Sequence, residues 1–261
     1  MSEDIKTANE EVKSLIKPVY EDLAQAATRE VGAVLGRAVH ALLFPVRGLC
    51  WGYEKIERVV ITGLEKRLDS VHSEKLHTPE PEIAVPLIHA LTYTAQNDAL
   101  REMYLNLLAN SMNQDFDKDV HPSYVEIIKQ MNRLDALVFK KLADNTGKYT
   151  KAITPNISIK GSGKVVKNAM PEWFLGWIIE NFDIFDISTC LVRLSRLGIV
   201  ELKENEIAGK DGYDELKSSI LITSIFNVCV LSFPETELAL ISKENILFVN
   251  EFGQRFAKAC L

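Results

Sequence analysis

The side chains able to do chemistry are scattered along this chain. His40, His72, His77, His89 and His121 form no HxxxH or HExxH pair, and no Gly-x-Ser-x-Gly elbow occurs, so the signatures of zinc and serine hydrolases are missing. Cys50, Cys190, Cys229 and Cys260 lie too far apart for a CxxC pair. That spacing suggests neither a zinc knuckle nor a dense disulfide framework and fits a reducing cytosol. Lys160, Gly161, Ser162, Gly163 and Lys164 have the flavour of a phosphate-binding loop, but the Walker pattern needs Ser or Thr next and Val165 follows. Asp115, Asp117 and Asp119 with Glu126 match four acidic positions of a calcium loop. Val120 replaces the glycine of its sharp turn and Pro122 intrudes, so a solvated acidic loop is expected instead. His121, just ahead of Pro122, reads as a turn or capping residue. The expectation is a non-enzymatic protein with no catalytic residue, metal, cofactor or small-molecule substrate.

Charge patterns point to surfaces. On a helical projection Arg29, Arg37, His40 and Arg47 fall within an arc of about 80°, opposite Val31, Leu35, Val39, Leu42, Val46 and Leu49. Such a basic amphipathic face suits an anionic membrane surface or a protein partner; the same apolar side would equally pack on a neighbouring helix. Arg37 near the middle and Arg47 beside Pro45 argue against a full span. Gly32 and Gly36, a GxxxG pair, fit close packing in a soluble bundle as well as in a membrane.

A second basic set consists of Arg193 and Arg196 on one helix, Lys203 beyond it, and a loop from Lys140 to Lys167 with seven lysines, among them Lys160, Lys164 and Lys167. These could meet nucleic-acid phosphates or an acidic partner. Residues 135–261 nevertheless hold 15 basic and 16 acidic side chains, and no aromatic or amide base reader sits on the helix. Docking of a protein is favoured over DNA binding on those grounds.

The elements that must position these residues are mostly helices. The 261 residues are 47% hydrophobic and 25% charged, with Lys+Arg 30 against Asp+Glu 36 and a net charge of −6, values of an ordinary soluble protein that exclude a collagenous or fully disordered chain. The acidic start MSEDIKTANEEVKSLIK lacks the basic and apolar regions of an export signal, so a cytoplasmic protein, peripheral at the inner membrane at most, is expected. Helical periodicity runs from Glu3 to about Arg29 and from about Tyr53 to Val71, and the Ile56, Val59, Val60, Leu64, Leu68 stripe of the second asks for a partner helix or a second copy. Pro79 and Pro81 mark a boundary, which gives an amphipathic region 1–80 and a central helical bundle 81–134. In the bundle Ile83 to Thr94 and Ala99 to Met112 are helical, the second capped by Asp98; Ser123 and Glu126 have capping-box spacing, and Asp135 can cap the next helix.

Residues 135–261 follow the element order of a winged-helix-like domain: helices Asp135 to Ala143, Pro171 to Asn181 and Ser188 to Leu197 closed by Gly198, a strand Ile199 to Lys203, a hairpin of Leu238 to Ile241 and Ile246 to Val249 around Ser242 to Asn245, and a last helix capped by Asn250. The run Ile220 to Phe233 reads as a buried strand with a bend, although its length also permits a core helix. The fold expected is mainly α with a short antiparallel sheet.

Three stretches together resemble the Abi-alpha family of bacterial abortive-infection proteins: LREMYLNLLANSM at 100–112, VHPSYVEIIKQMNRLDALVFKKLA at 120–143 and LFVNEFGQRFAKAC at 247–260. The similarity spans residues 80–261. It implies a phage-defence protein, with no catalytic residues to carry over.

Overall fold

The computed structural model describes residues 53–94, 96–145, 149–209 and 211–261. The chain is mainly helical with one three-stranded antiparallel sheet, as the residue patterns lead one to expect. It divides into two compact units, one running to Met131 and including Lys258–Leu261, the other Asn132–Ala257.

The first unit begins with α1 (Tyr53–Leu68), α2 (Pro81–Thr94) and α3 (Asp98–Asn110). Val60, Leu64 and Leu68 of the α1 stripe are buried, and a Cβ on Gly63 would lie 2.7 Å from Leu105. The partner that this stripe asks for is therefore α3. Helix α2 starts two residues earlier than its apolar periodicity suggests, because Pro81 takes the first helical position, where its missing N–H costs nothing. The cap of α3 is Asn97 rather than Asp98: its side chain accepts from the Leu100 N–H. Helix α4 (Ser123–Gln130) has no capping box either. Glu126 instead pairs with Lys129, and His121 Nδ1 accepts the Ser123 N–H at 3.1 Å, the turn role expected of that histidine.

In the second unit α5 (Arg133–Ala143) starts at Asn132, with Asp135 as the third helical residue of a reciprocal capping box, not as the cap itself. Helix α6 (Ile184–Arg196) starts four residues before the expected Ser188, because Asp183 and Asp186 form a second such box. Gly198 at φ +77° ends the turn after it, a conformation that glycine adopts without a Cβ clash.

Two expectations are corrected in the sheet. Ser242 to Asn245 are not a hairpin loop: β3 (Leu238–Val249) is one strand, flanked by β1 (Thr150–Ile159) and β2 (Val200–Glu204) in the order β1-β3-β2. Those four polar residues pair with Ala152 through Pro155. Fully buried Asn245 is satisfied there, giving Nδ2–H to Thr154 Oγ1 and accepting the Asn205 N–H, both at 2.8 Å. The lysine-rich stretch 140–167 is likewise not one loop, since β1 occupies its centre.

Pro171 to Asn181, expected as the second helix of a winged helix, is irregular. Phe174 exchanges both backbone hydrogen bonds with Ile153 at 2.9 Å, and Gly176 and Asn181 sit at φ +78° and +69°. A backbone tied to a strand and turned left-handed twice has no run of helical dihedrals left. After α7 (Tyr213–Lys217), the Ile220 to Phe233 run forms α8 (Ile220–Ser232), a helix and not a strand. One side of it, through Ile222, Leu221 and Ile225, packs on Ile153, Phe174, Ile184 and Tyr213. The last helix, α9 (Glu251–Cys260), is capped by Asn250 as expected, Oδ1 accepting the Gly253 N–H at 2.8 Å.

Candidate interaction surface

Arg29, Arg37, His40 and Arg47 lie outside the described residues. The remaining cations of interest are in the second unit, and the fold separates them by role. Arg193, in the last turn of α6, points at Asp135: Nη2 and Nε reach Oδ1 at 2.8 and 3.0 Å. Asp135 is 1% exposed, and its Oδ2 accepts the Asn132 N–H at 2.9 Å. The aspartate thus ties the start of α5 to the end of α6. Burial works against the Arg193 charge, but the bond to Asp135 outweighs it and raises the guanidinium pKa. Burial, reinforced by the same carboxylate, pushes the neighbouring Cys190 thiol upward, so this cysteine is a packing group and not a nucleophile.

Arg193 also borders a shallow groove of about 350 Å³, together with Asn132, Arg133, Leu134, Phe182, Asp186 and Thr189. The walls mix both signs of charge. A mixed, open groove suits weak polar docking better than a buried ligand.

The other cations divide the same way. Lys203 pairs with Glu201 at 3.0 Å, a bond that raises its pKa. Lys160 pairs with Glu237 at 2.5 Å. Lys164 and Lys167 are exposed. The structure brings Lys160 and Lys164 into one tight hairpin, in which the Ile159 N–H donates to the Lys164 carbonyl at 2.8 Å and Gly161 and Gly163 turn at φ +77° and +65°. The glycine-rich stretch therefore serves a turn. In the first unit the three aspartates of the calcium-like stretch each face a base: Asp115 to Lys75, Asp117 to His77 and Asp119 to Lys258. Among the described residues no group of three or more ligating side chains is arranged to hold a metal.

The feature that sequence reasoning missed is the outer face of α8. Ile220 is 75% exposed and Leu231 81%, and Ile222 is the helix's buried residue. The signal is the unbroken absence of charge between Lys217 and Glu235. Tyr213–Ser232 is long and apolar enough, by length and composition, to cross a membrane.

A family model for abortive infection alpha proteins matches residues 52–260, so the chain belongs to the abortive infection alpha family. The resemblance carried by the three stretches above is thereby borne out, and membership points to a part in abortive infection, the defence of a bacterial population against phage. No curated protein and no solved structure matches the chain. The stretch carrying Arg29, Arg37, His40 and Arg47 precedes the matched region.

Proposed function

We propose that this protein acts in phage defence without catalysis, by contact with a protein partner or a membrane surface. The observation that carries this reading is α8, whose outer face presents Ile220, Val228 and Leu231 to solvent. A soluble chain holds such a face open at a cost in solubility, and contact is the use to which apolar surface is put. The basic face of Arg29, Arg37, His40 and Arg47 is the second contact element in this reading, in a cytoplasmic protein that is peripheral at the inner membrane when engaged. Around α5, α6, β2 and β3, a winged-helix-like docking role belongs to the same proposal and draws on the mixed-charge groove beside Arg193. A DNA-binding regulator is the weaker reading: Arg193, Lys203 and Lys160 each answer a carboxylate, a cation already paired offers a phosphate less, and of the six cations that leaves Arg196, Lys164 and Lys167, which are exposed.

Reversal of both Arg37 and Arg47 to Glu is expected to abolish protection in a phage survival assay while circular dichroism and the unfolding midpoint stay as in the parent. Full protection by the doubly reversed chain would overturn the contact mechanism at that face.

A further inference from the structure

The direction of α8 is set at both ends. Just ahead of it, Lys217 reaches Glu244 at 2.6 Å, and Glu244 is the strand partner of Ile153, on which Ile222 packs. Just beyond it, the Glu237 carbonyl accepts the Lys160 N–H at 2.8 Å, and Leu238 pairs with Ile159. The helix thus starts beside Ile153 of β1, and the turn that follows it, closed by the Thr236 N–H on the Phe233 carbonyl, leads to the 160–165 hairpin. At that end Leu231, Phe233 and Val165 are exposed by 81%, 53% and 43%, beside exposed Lys164 and Lys167. Over residues 160–167 and 231–237 Lys160, Lys164 and Lys167 outnumber Glu235 and Glu237, in a domain that is acidic in total.

Two arguments select the occupant. A seam between paired helices needs an apolar row, but the row through Ile220 and Leu231 includes Ser224 and Asn227, both exposed, and pairing would bury them. At a lipid surface such groups stay wet while neighbouring apolar side chains enter. The 13 residues of α8 extend about 20 Å, too short for a hydrocarbon core of about 30 Å. Tyr213–Lys217, which would lengthen it, is separated by the Ser218–Ser219 break and carries Asp214, Glu215 and Lys217.

Resting on the contact reading above, we propose that this end of the second unit seats on an anionic lipid bilayer, with Leu231, Phe233 and Val165 entering the acyl boundary and Lys164 and Lys167 meeting headgroup phosphates. The full chain is tested by co-sedimentation with vesicles of phosphatidylcholine alone and of phosphatidylcholine with phosphatidylglycerol, at low and moderate salt. The parent should favour phosphatidylglycerol, with affinity falling as salt rises. Leu231→Gln with Phe233→Gln should weaken binding about tenfold or more on both vesicles. Lys164→Gln with Lys167→Gln should remove about tenfold of the preference for phosphatidylglycerol and little else. All these positions are exposed, so unfolding midpoints should match the parent's; light scattering completes the set. Parent-like binding by both variants would overturn the proposal, as would failure of the parent to sediment with either vesicle. So would a parent dimer that Leu231→Gln dissociates, since a second copy would then cover α8. These outcomes leave the contact reading itself to the survival assay, where a chain that binds no membrane can still protect through a protein partner.

Discussion

Asp135 and Arg193 show how a residue's neighbours decide its use. From its sequence position Arg193 could face a phosphate, whereas in the fold it neutralises a carboxylate that is 1% exposed. Removing one member of a buried pair leaves the other charged and unpaired, which costs about 3–5 kcal/mol when both are buried. The Arg193 side chain is 34% exposed, so Arg193→Ala should destabilise the protein by about 2–3 kcal/mol in urea unfolding. Asp135→Ala should cost at least as much, because the capping box goes with it. The double variant should lose clearly less than the two single losses added together. Additive losses would show that the pair contributes no coupling and would return Arg193 to the list of docking residues. The motifs behind the family resemblance have the same structural character. Asn110 of the LLAN segment gives Nδ2–H to the Ala259 carbonyl at 2.9 Å, and His121 of the His-Pro-Ser turn accepts the Ser123 N–H in the turn that leads into α4.

Among the elements, α9 has the least slack. A Cβ on Gly253 would stand 2.0 Å from the Ile199 carbonyl oxygen, and Phe256 one turn on is buried against Phe139 at 5.3 Å between ring centroids. The Gly-x-x-Phe pattern is thus an approach of helix to backbone followed by an aromatic anchor. Gly253→Ala should cost about 3 kcal/mol or more despite the better helix propensity of alanine, measured as a lower urea midpoint; a stabilised variant would mean that α9 can slide off Ile199. Helices were legible in the sequence because their faces repeat every three to four residues, as in α1, α3 and α5. The strand β1 was not: TKAITPNISI carries Pro155 and Asn156 and sits among lysines, so composition masks its alternation. In β3 the polar SKEN segment looked like a turn, and the reason it is strand, Asn245 bonded to Thr154, is 91 residues away in sequence. The apolar run of α8 has no period to read, and its exposure is a property of what does not pack on it. The site cations were legible by type; their pairing with Asp135, Glu201 and Glu237 depends on contacts that no local pattern encodes.

At the scale of the molecule, the first compact unit includes the last residues of the chain. Asn106 donates to the carbonyls of Cys260 and Leu261 at 3.0 Å, Asn110 to that of Ala259, and Lys258 binds Asp119. Deleting Lys258–Leu261 removes every one of these contacts, and Cys260, fully buried, goes with them. Hydrogen exchange of α3 amides should then quicken by about tenfold or more, while α5 and α6 amides keep their protection. Unchanged exchange in α3 would show that the tail is an ornament on a unit that closes without it. The same feature sets a schedule during synthesis. Residues 53–131 leave the ribosome ahead of the second unit, but the side chains that clasp the tail wait until all of Asn132–Ala257 has been made, about 6–25 s at 5–20 residues per second. Over that interval Asn106 and Asn110 of α3 lack their acceptors in the tail, and the nascent first unit stays open to capture by chaperones or proteases.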